Sequence, residues 1–244
     1  ASVGPIEKMS KSKKNTVDPD AIIKAFGADT ARWFVLSDSP PERDVEWTQS
    51  GAEGAARFGQ RIWSIFDTLP VSATKDIGSD DASLALRKAS HKAVAAIDKA
   101  ITEFRFNSAV ASIHEWVAAL KKAESVSDES LGARFEAASM LARCLTPFMP
   151  HLAETCWERI GGKGFVSAAG WPKADPALLE DDSVTMAVQV NGKRRGEITV
   201  LKTLAKDAVE AAAFAEPDVA AFIDGKQVKK TIVVPGRIVN IVVA

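Results

Sequence analysis

Two lysines and two small hydroxyl residues lie close together in the run Lys8-Met9-Ser10-Lys11-Ser12, near the start of the chain. Ammonium groups are compact charges that meet phosphate oxygens, and serine hydroxyls donate hydrogen bonds to the same oxygens. The neighbouring Ser, Asn, Gly and Pro residues predict an exposed, movable loop. The run therefore predicts an anion clamp, with a solvated lysine-rich loop as the alternative.

A second set of cations lies on predicted regular elements. Arg57 and Arg61 are four residues apart on one predicted helix, so they share a face and could bind consecutive phosphates. Lys193, Arg194 and Arg195 follow a tight turn and project together from one predicted strand pair. The alternatives are a solvated helix edge and a charged strand that protects a sheet edge. Further cations of the same region are Lys226, Lys229, Lys230 and Arg237.

The distribution of charge favours an anionic partner, although the net charge of the chain is only −1. Lys and Arg minus Asp and Glu give +1 over residues 1–122, −5 over residues 123–183 and +3 over residues 184–244. A phosphate backbone responds to basic patches within a Debye length rather than to the charge of the whole chain. Nucleic acid therefore stays among the predicted partners.

Composition argues against several classes of protein. Cys144 and Cys156 are the two cysteines, so we expect neither a disulfide framework nor a metal site, and a reducing, cytoplasmic setting is the default. No apolar run reaches about 18 residues, the length that predicts a membrane-spanning helix. Residues 1–20 are too polar for a signal peptide. The isolated His91, His114 and His151 are expected to be structural.

Hydrophobic periodicity predicts a mainly α protein, an antiparallel helix bundle followed by a small α+β domain. Helix starts are predicted at Asp18-Pro19, at Asp29, at Ser50 with Glu53 as a capping box, and at Asn107. The expected domains are a loop and helical connection (1–45), the bundle (46–171), a linker (172–183) and the α+β domain (184–244). In the last domain, strands at 184–190 and 193–200 flank an Asn191-Gly192 hairpin turn. One or two helices follow at 206–224, then strands at 226–234 and 237–243.

The first run belongs to a longer pattern that resembles the second ATP-binding signature of the class I aminoacyl-tRNA synthetases. The matching residues are Lys8-Met9-Ser10-Lys11-Ser12, Lys13-Lys14-Asn15, Asp18-Pro19 and Gly27-Ala28-Asp29-Thr30-Ala31-Arg32. In that family the loop closes over ATP while the amino-acid carboxylate attacks the α-phosphate and pyrophosphate leaves. Charge grows on the pyrophosphate oxygens, so positioned lysines stabilise the transition state more than the ground state. The resemblance implies ATP binding by residues 8–12 and a catalytic role for Lys11, supported by Lys8.

Other segments resemble the bacterial leucyl-tRNA synthetases, a branch of this family. They are Asp44-Val45-Glu46-Trp47, Gly51-Ala52-Glu53-Gly54, Arg57-Phe58, Phe106-Asn107-Ser108-Ala109, Pro147-Phe148-Met149-Pro150-His151, Val188-Gln189-Val190-Asn191-Gly192-Lys193 and Val234-Pro235-Gly236-Arg237-Ile238-Val239-Asn240. Isoleucyl enzymes of bacterial type usually end in a cysteine-rich zinc module and valyl enzymes in a coiled coil. Neither pattern occurs in this sequence.

The resemblance implies the C-terminal portion of a longer, monomeric ligase that uses leucine, ATP with Mg²⁺ and tRNA(Leu). It implies tRNA contacts by Arg57 and Arg61 in a helical, anticodon-binding-type domain, and by cations of the α+β domain at the outer corner of the tRNA. The latter are Lys193, Arg194, Arg195, Lys226, Lys229, Lys230 and Arg237. Because the 244 residues begin at Ala1 and contain no His-x-Gly-His signature, amino-acid site or editing domain, we expect this portion to be inactive alone and to bind no cofactor stably. The alternatives are a stand-alone tRNA- or RNA-binding module derived from a synthetase, and another class I synthetase, methionyl or valyl.

Overall fold

The computed structural model describes residues 7–71, 77–124, 130–180 and 183–244. The chain divides into two compact units, Ala1–Leu179 and Glu180–Ala244. Residues 1–6 of the predicted N-terminal region and residues 181 and 182 of the predicted linker lie outside the described residues. The predicted class, a helix bundle followed along the chain by a small α+β unit, is confirmed.

The first unit is helical in the part of the chain that the structure describes. Its helices are α1 Pro19–Phe26, α2 Ala28–Asp38, α3 Gln49–Asp67, α4 Asp81–Thr102, α5 Phe106–Glu124, α6 Leu131–Leu145 and α7 Pro150–Arg159. Helix α4 packs against α5 and α6, α2 packs against α3 and α5, and α7 packs against α3 and α6. None of the described helices is both long and apolar enough to cross a bilayer.

Three predicted helix starts, those of α2, α3 and α5, are wrong by one or two residues. Helix α3 is capped by Thr48, whose hydroxyl accepts from the backbone N–H of Gly51 at 3.2 Å, so Ser50 already lies inside the helix and forms no capping box. Helix α5 begins at Phe106, which places Asn107 in its first turn instead of at the cap. By contrast Asp18 caps α1 as expected, accepting from Asp20 N at 3.1 Å.

Helix α2 starts at Ala28, one residue before the predicted start at Asp29. Gly27, with φ +87°, both ends α1 and precedes α2. Positive φ costs glycine little, so the two helices follow each other without an intervening loop. Asp29 therefore sits in the first turn of α2 and its side chain is free to contact another helix.

The core of the helical unit is formed by the apolar stripes of its helices. Large side chains at 0–1% exposure come from five of them, α2 to α6, among them Trp33, Ile62, Ile97, Ile113 and Leu141. A polar contact is embedded in this core, where Trp116 Nε1 donates to Ser90 Oγ at 2.8 Å. Ser90 in turn donates to the carbonyl of Leu86, so each polar group is paired.

The segment after α7 returns to the bundle. Short 3-10 turns occur at Val166–Ala168 and Pro176–Leu178, and the second packs against α4. The backbone N–H of Asp175 donates to Nδ1 of the buried His91 at 2.9 Å, and Leu178 is buried. Residues 172–179, predicted as the start of a linker, are thus held against the helical unit.

The second unit is a four-stranded mixed sheet with two helices on one face. Its elements are β1 Ser183–Val190, β2 Lys193–Leu201, α8 Lys206–Ala215, α9 Pro217–Ile223, β3 Val228–Val234 and β4 Ile238–Val243. The strand order is β2-β1-β4-β3, in which the central pair β1 and β4 is parallel. Alternate residues of the strands, such as Val188 and Ile241, are buried under α8 and α9.

Hydrogen bonds of the Asn191 side chain hold the hairpin turn against the end of β4. Asn191 and Gly192 both have positive φ, 49° and 79°, as a two-residue hairpin turn requires. The side chain of Asn191 donates to Val243 O at 3.2 Å and accepts from Val243 N at 3.0 Å. The turn that carries Lys193 is therefore anchored to the neighbouring strand as well as to its own.

Candidate phosphate-binding sites

Hydrogen bonds from Asn15 close the lysine-rich loop into a tight turn. The backbone N–H of Ser10 donates to Asn15 Oδ1 at 2.8 Å, and Asn15 Nδ2 donates to the carbonyl of Lys8 at 3.3 Å. Ser10 Oγ accepts from Lys13 N at 3.3 Å. The side chain of Asn15 thus ties residues 8 and 10 of the predicted anion clamp to the residues that follow it.

Lys8 and Lys11 are exposed and have no carboxylate partner in the described residues. Lys13, by contrast, forms an ion pair with Glu7 at 3.0 Å. Lys14 adopts φ +55° and its N–H donates to Lys11 O at 3.2 Å, which tightens the turn after Lys11. Two free ammonium groups, at Lys8 and Lys11, are therefore presented from one closed turn. Such a pair can accept a polyphosphate anion without breaking an internal ion pair.

The loop is followed by α1 and α2, and α2 is attached to the bundle by Asp29. Asp29 Oδ1 lies 2.8 Å from His151 Nδ1, and Asp29 Oδ2 accepts from the backbone N–H of Leu152 at 2.7 Å. His151 thus has the structural role that the sequence predicts. The contact connects the segment carrying the loop to the first turn of α7.

Both arginines predicted on the first long helix lie on its exposed side. Arg57 and Arg61 flank the buried face formed by Phe58 and Ile62. Arg57 makes only a long, solvent-exposed ion pair with Glu53, at 3.9 Å. A contact of this kind contributes little and exchanges readily for a phosphate.

The ring of His114 packs against this helix next to Arg61. Its centroid is 3.8 Å from that of Phe58 and 5.6 Å from that of Trp33. Burial against these rings, and then the positive charge of Arg61, lower the pKa of His114 below its usual value. The pKa of His114 therefore responds to the charge of Arg61.

The cations predicted in the small unit are only partly brought together. Strands β2 and β3 begin at the same end of the sheet, so Lys193 and Lys230 share that end, on edge strands about 14 Å apart. Lys229 precedes Lys230 on β3 and is exposed. Arg237 lies in the β3–β4 turn at the other end, about 13 Å away along the strands. The predicted set therefore does not form one patch.

The three cations after the hairpin turn have different environments. Arg194 forms an ion pair with Glu197 on the same strand. The pairing register of β1 and β2 passes from Gln189↔Arg194 to Val188↔Gly196, so Arg195 is the extra residue of a β-bulge. Its guanidinium lies over the ring of Phe222 on α9, with Cζ 3.8 Å from the ring centroid. Lys193 is exposed at the turn.

Neither thiol belongs to a site. Cys144 and Cys156 are free and buried, and burial raises the pKa of both, to about 12 for Cys144. Among the described residues no group of three His, Cys, Asp or Glu side chains could hold a metal ion. The described candidate sites are therefore phosphate sites built from lysine and arginine.

Family comparison matches the anticodon-binding domain of tRNA ligases to residues 84–210, more than half of the chain. The chain belongs to this family. A second family, the class I tRNA synthetases of the I, L, M and V group, matches residues 4–48, which include the lysine-rich loop. The two matches together cover residues 4–48 and 84–210 of the chain.

Relatives that match almost the whole chain are leucine–tRNA ligases. The chain is 74% identical over 243 residues to that of Hyphomonas neptunium and 54% identical over 242 residues to that of Caulobacter vibrioides. These matches cover 99% and 98% of the chain but 28% of each relative. The chain thus spans under a third of the length of these relatives.

Solved structures show the same fold. A leucyl-tRNA synthetase of Agrobacterium radiobacter K84, in a ternary complex with tRNA and LeuAMS, matches 97% of the chain and 31% of its own at a TM-score of 0.74 and 25% identity. The apo methionyl-tRNA synthetase of Mycobacterium tuberculosis matches 66% of the chain and 38% of its own at a TM-score of 0.50 and 18% identity. The latter similarity concerns the fold alone.

Several side chains that shape the candidate sites are not predicted from the sequence. The sequence analysis names Asn15 only as part of a motif and predicts no contact for it. Asparagine is nevertheless a known turn former, and Asn15 ends a Ser- and Lys-rich loop. Phe222 gave no signal, because its contact with Arg195 depends on a bulge that strand periodicity does not encode. Asp29 was assigned to the helix start, and its partner lies 122 residues further along the chain.

Proposed function

We propose that the chain is the C-terminal part of a leucine–tRNA ligase, in which it contributes the ATP loop and a tRNA-binding surface to the ATP-dependent attachment of leucine to tRNA(Leu). The observation that carries the proposal is the 74% identity across 99% of the chain to a protein of that name. The similar structure of a leucyl-tRNA synthetase with tRNA and LeuAMS supports the same partners. The activity belongs to the full-length protein that contains this chain, expected to act as a monomer in the cytoplasm.

Lys11 and Lys8 would bind the ATP substrate in its Mg²⁺ form and stabilise charge on the departing pyrophosphate. The donor set fits this role, because two exposed, unpaired ammonium groups and the hydroxyls of Ser10 and Ser12 lie on one closed turn with Met9 between them. Interactions that strengthen as charge builds on the pyrophosphate oxygens lower the barrier to adenylate formation. Lys11 is the residue to which we assign the larger part of this effect.

Arg57 and Arg61 would contact the phosphate backbone of the tRNA from the bundle. In the small unit the same role falls to Lys193, Arg194, Arg195, Lys229, Lys230 and Arg237. Backbone contacts give affinity and shape selection and carry no base sequence directly. Because the small-unit cations are spread over both ends of a sheet, they would follow an extended path of phosphates and not a single one.

The proposal is tested by leucine-dependent ATP–pyrophosphate exchange in the full-length protein. Lys11→Ala should lower the exchange rate by about a hundredfold or more, the loss expected for a group that stabilises transition-state charge. Lys13→Ala is the matched control, because Lys13 is in the same loop but is paired with Glu7, and its rate should stay within about threefold of wild type. Equal rates for the Lys11 variant and wild type would remove Lys11 from the mechanism.

The same assay separates the alternative functions. Exchange supported by methionine or valine instead of leucine would indicate another class I synthetase. A full-length protein that binds tRNA but shows no exchange with any of the three amino acids would indicate an RNA-binding module derived from a synthetase.

A further inference from the structure

Two cations of the small unit share one aromatic ring. Arg195 Cζ is 3.8 Å and Lys226 Nζ is 3.7 Å from the centroid of Phe222. Lys226 Nζ also donates to the carbonyl of Phe222 at 2.6 Å, at the C-terminal end of α9, where a cation is favoured by the helix dipole. A π-face attracts each cation electrostatically, so Phe222 favours the placement of both charges at its ring.

The backbone around the bulge is shaped to allow this arrangement. Gly196 follows Arg195 and faces α9, and a Cβ at Gly196 would collide with the carboxylate of Glu216. The carboxylate of Glu216 caps α9 by accepting from Val219 N at 2.7 Å. Gly196 thus leaves room for the cap of the helix that carries Phe222, and the bulge brings Arg195 to the same side of the sheet.

The charges in this cluster lack anionic partners. No carboxylate of the described residues lies within ion-pair distance of Arg195 or Lys226, whereas Arg194 and Lys206 pair with Glu197 and Glu210. Arg195 Nε is buried and has no hydrogen-bond partner among the residues that the structure describes. A buried guanidinium N–H without an acceptor is costly, and an aromatic face compensates it only in part.

We infer that Phe222 is a positioning residue that holds Arg195 and Lys226 as one phosphate-binding unit for the backbone of tRNA. The inference rests on the proposed function and deepens it, because it connects Lys226, on the segment before β3, to a predicted tRNA contact on β2. The unit is preorganised, so two cations meet the RNA without losing the side-chain freedom of two long, unrestrained chains. The chemistry that it recognises is a pair of neighbouring phosphodiester groups.

The test measures the affinity of the 244-residue chain for a transcript of tRNA(Leu) over a salt series. Arg195→Ala and Lys226→Ala should each weaken binding about tenfold and reduce the log–log salt slope by about one. Phe222→Leu removes no charge, yet it should weaken binding and reduce the slope by up to about two, because both cations lose their position. Phe222→Tyr keeps the ring and should restore wild-type binding.

Lys206→Ala is the matched control, since it removes one cation of the same unit that is already paired with Glu210. It should leave the slope unchanged. The inference is overturned if Phe222→Leu lowers only the melting temperature while affinity and slope match those of wild type, which would mean that the ring merely packs α9. A wild-type chain without salt-dependent tRNA affinity would overturn the proposed tRNA surface and this inference together.

Discussion

Asp29 caps a helix that begins 121 residues after it. Its two carboxylate oxygens contact His151 Nδ1 at 2.8 Å and the backbone N–H of Leu152 at 2.7 Å. The N-cap residue of α7, Met149, offers no side-chain acceptor, so Asp29 pairs an N–H that the helix itself leaves unpaired. The contact makes the attachment of α2, and with it the lysine-rich loop, part of the stability of the bundle.

Replacing Asp29 by Ala should destabilise the chain by about 1 kcal/mol, the usual cost of a lost N-cap. His151→Ala, which removes the more exposed partner and keeps the bond to Leu152, should cost less than about 0.5 kcal/mol. Denaturant unfolding followed by far-ultraviolet circular dichroism measures both changes. Equal losses for the two variants would contradict the assignment of Asp29 as the cap of α7.

Ser90→Ala should destabilise the helical unit by about 1–3 kcal/mol, because Trp116 Nε1 would be buried without an acceptor. Ser112→Ala is a suitable control. Ser112 also donates to a carbonyl four residues earlier, but near the surface, so its loss should stay within about 0.5 kcal/mol. Urea unfolding of both variants, followed by tryptophan fluorescence, checks the difference.

The sequence predicted well those features that depend on local periodicity. The start of α1 at Asp18 and the hairpin turn at Asn191 follow from a cap and a turn signal within a few residues. Contacts between distant residues were not predicted, because no local pattern records that Asp29 faces His151 or that Asp175 meets His91. The mis-assigned capping box at Ser50 has the same origin on a smaller scale, since Thr48 offered a competing hydroxyl two residues earlier.

In the candidate sites too, features set by local sequence were predicted and contacts between distant residues were not. Residue types and spacing identified the lysines of the loop and the arginines of α3 as solvent-exposed cations. The spatial grouping of the small-unit cations depended on strand order and on a bulge, neither of which a single sequence specifies. Arg194 and Arg195 are adjacent in sequence, yet one is neutralised by Glu197 and the other lies on an aromatic ring.

Both thiols should be unreactive in the folded chain. Burial raises the pKa of Cys144 to about 12 and raises that of Cys156 as well, so almost no thiolate exists at mildly alkaline pH. A colorimetric disulfide reagent should therefore detect no thiol in native protein and two in urea. Rapid reaction of either cysteine without denaturant would show that its side chain is accessible.

Asn15→Ala should impair ATP use in the full-length protein, because it removes both hydrogen bonds that close the lysine-rich loop. We expect kcat/KM for ATP in pyrophosphate exchange to fall about tenfold, because part of the ATP binding energy must then be used to order Lys8 and Lys11. Asn15→Asp keeps the acceptor for Ser10 N and should lie between wild type and the Ala variant. Thr16→Ala, at an exposed neighbour, should have no effect, and an equal loss there would argue against closure by Asn15.

The imidazole of His114 should titrate below its ordinary pKa of about 6.5. Burial is the larger cause and the charge of Arg61 the smaller, so Arg61→Gln should raise the pKa of His114 without restoring it fully. Arg57→Gln should leave it unchanged, because Arg57 is not among the causes and is paired with Glu53. Nuclear magnetic resonance titration of the ring protons in the three proteins measures each shift.

The depressed pKa of His114 also fixes a pH dependence of stability. Below about pH 6.5 the unfolded chain binds a proton at this position more readily than the folded chain, so the free energy of unfolding falls as the pH is lowered through that range. His114→Gln should remove this part of the acid dependence.

Phosphate groups next to Arg61 would offset its charge, so added tRNA should raise the pKa of His114 in wild type but not in Arg61→Gln. A pKa that tRNA leaves unchanged in wild type would show that Arg61 does not contact the backbone.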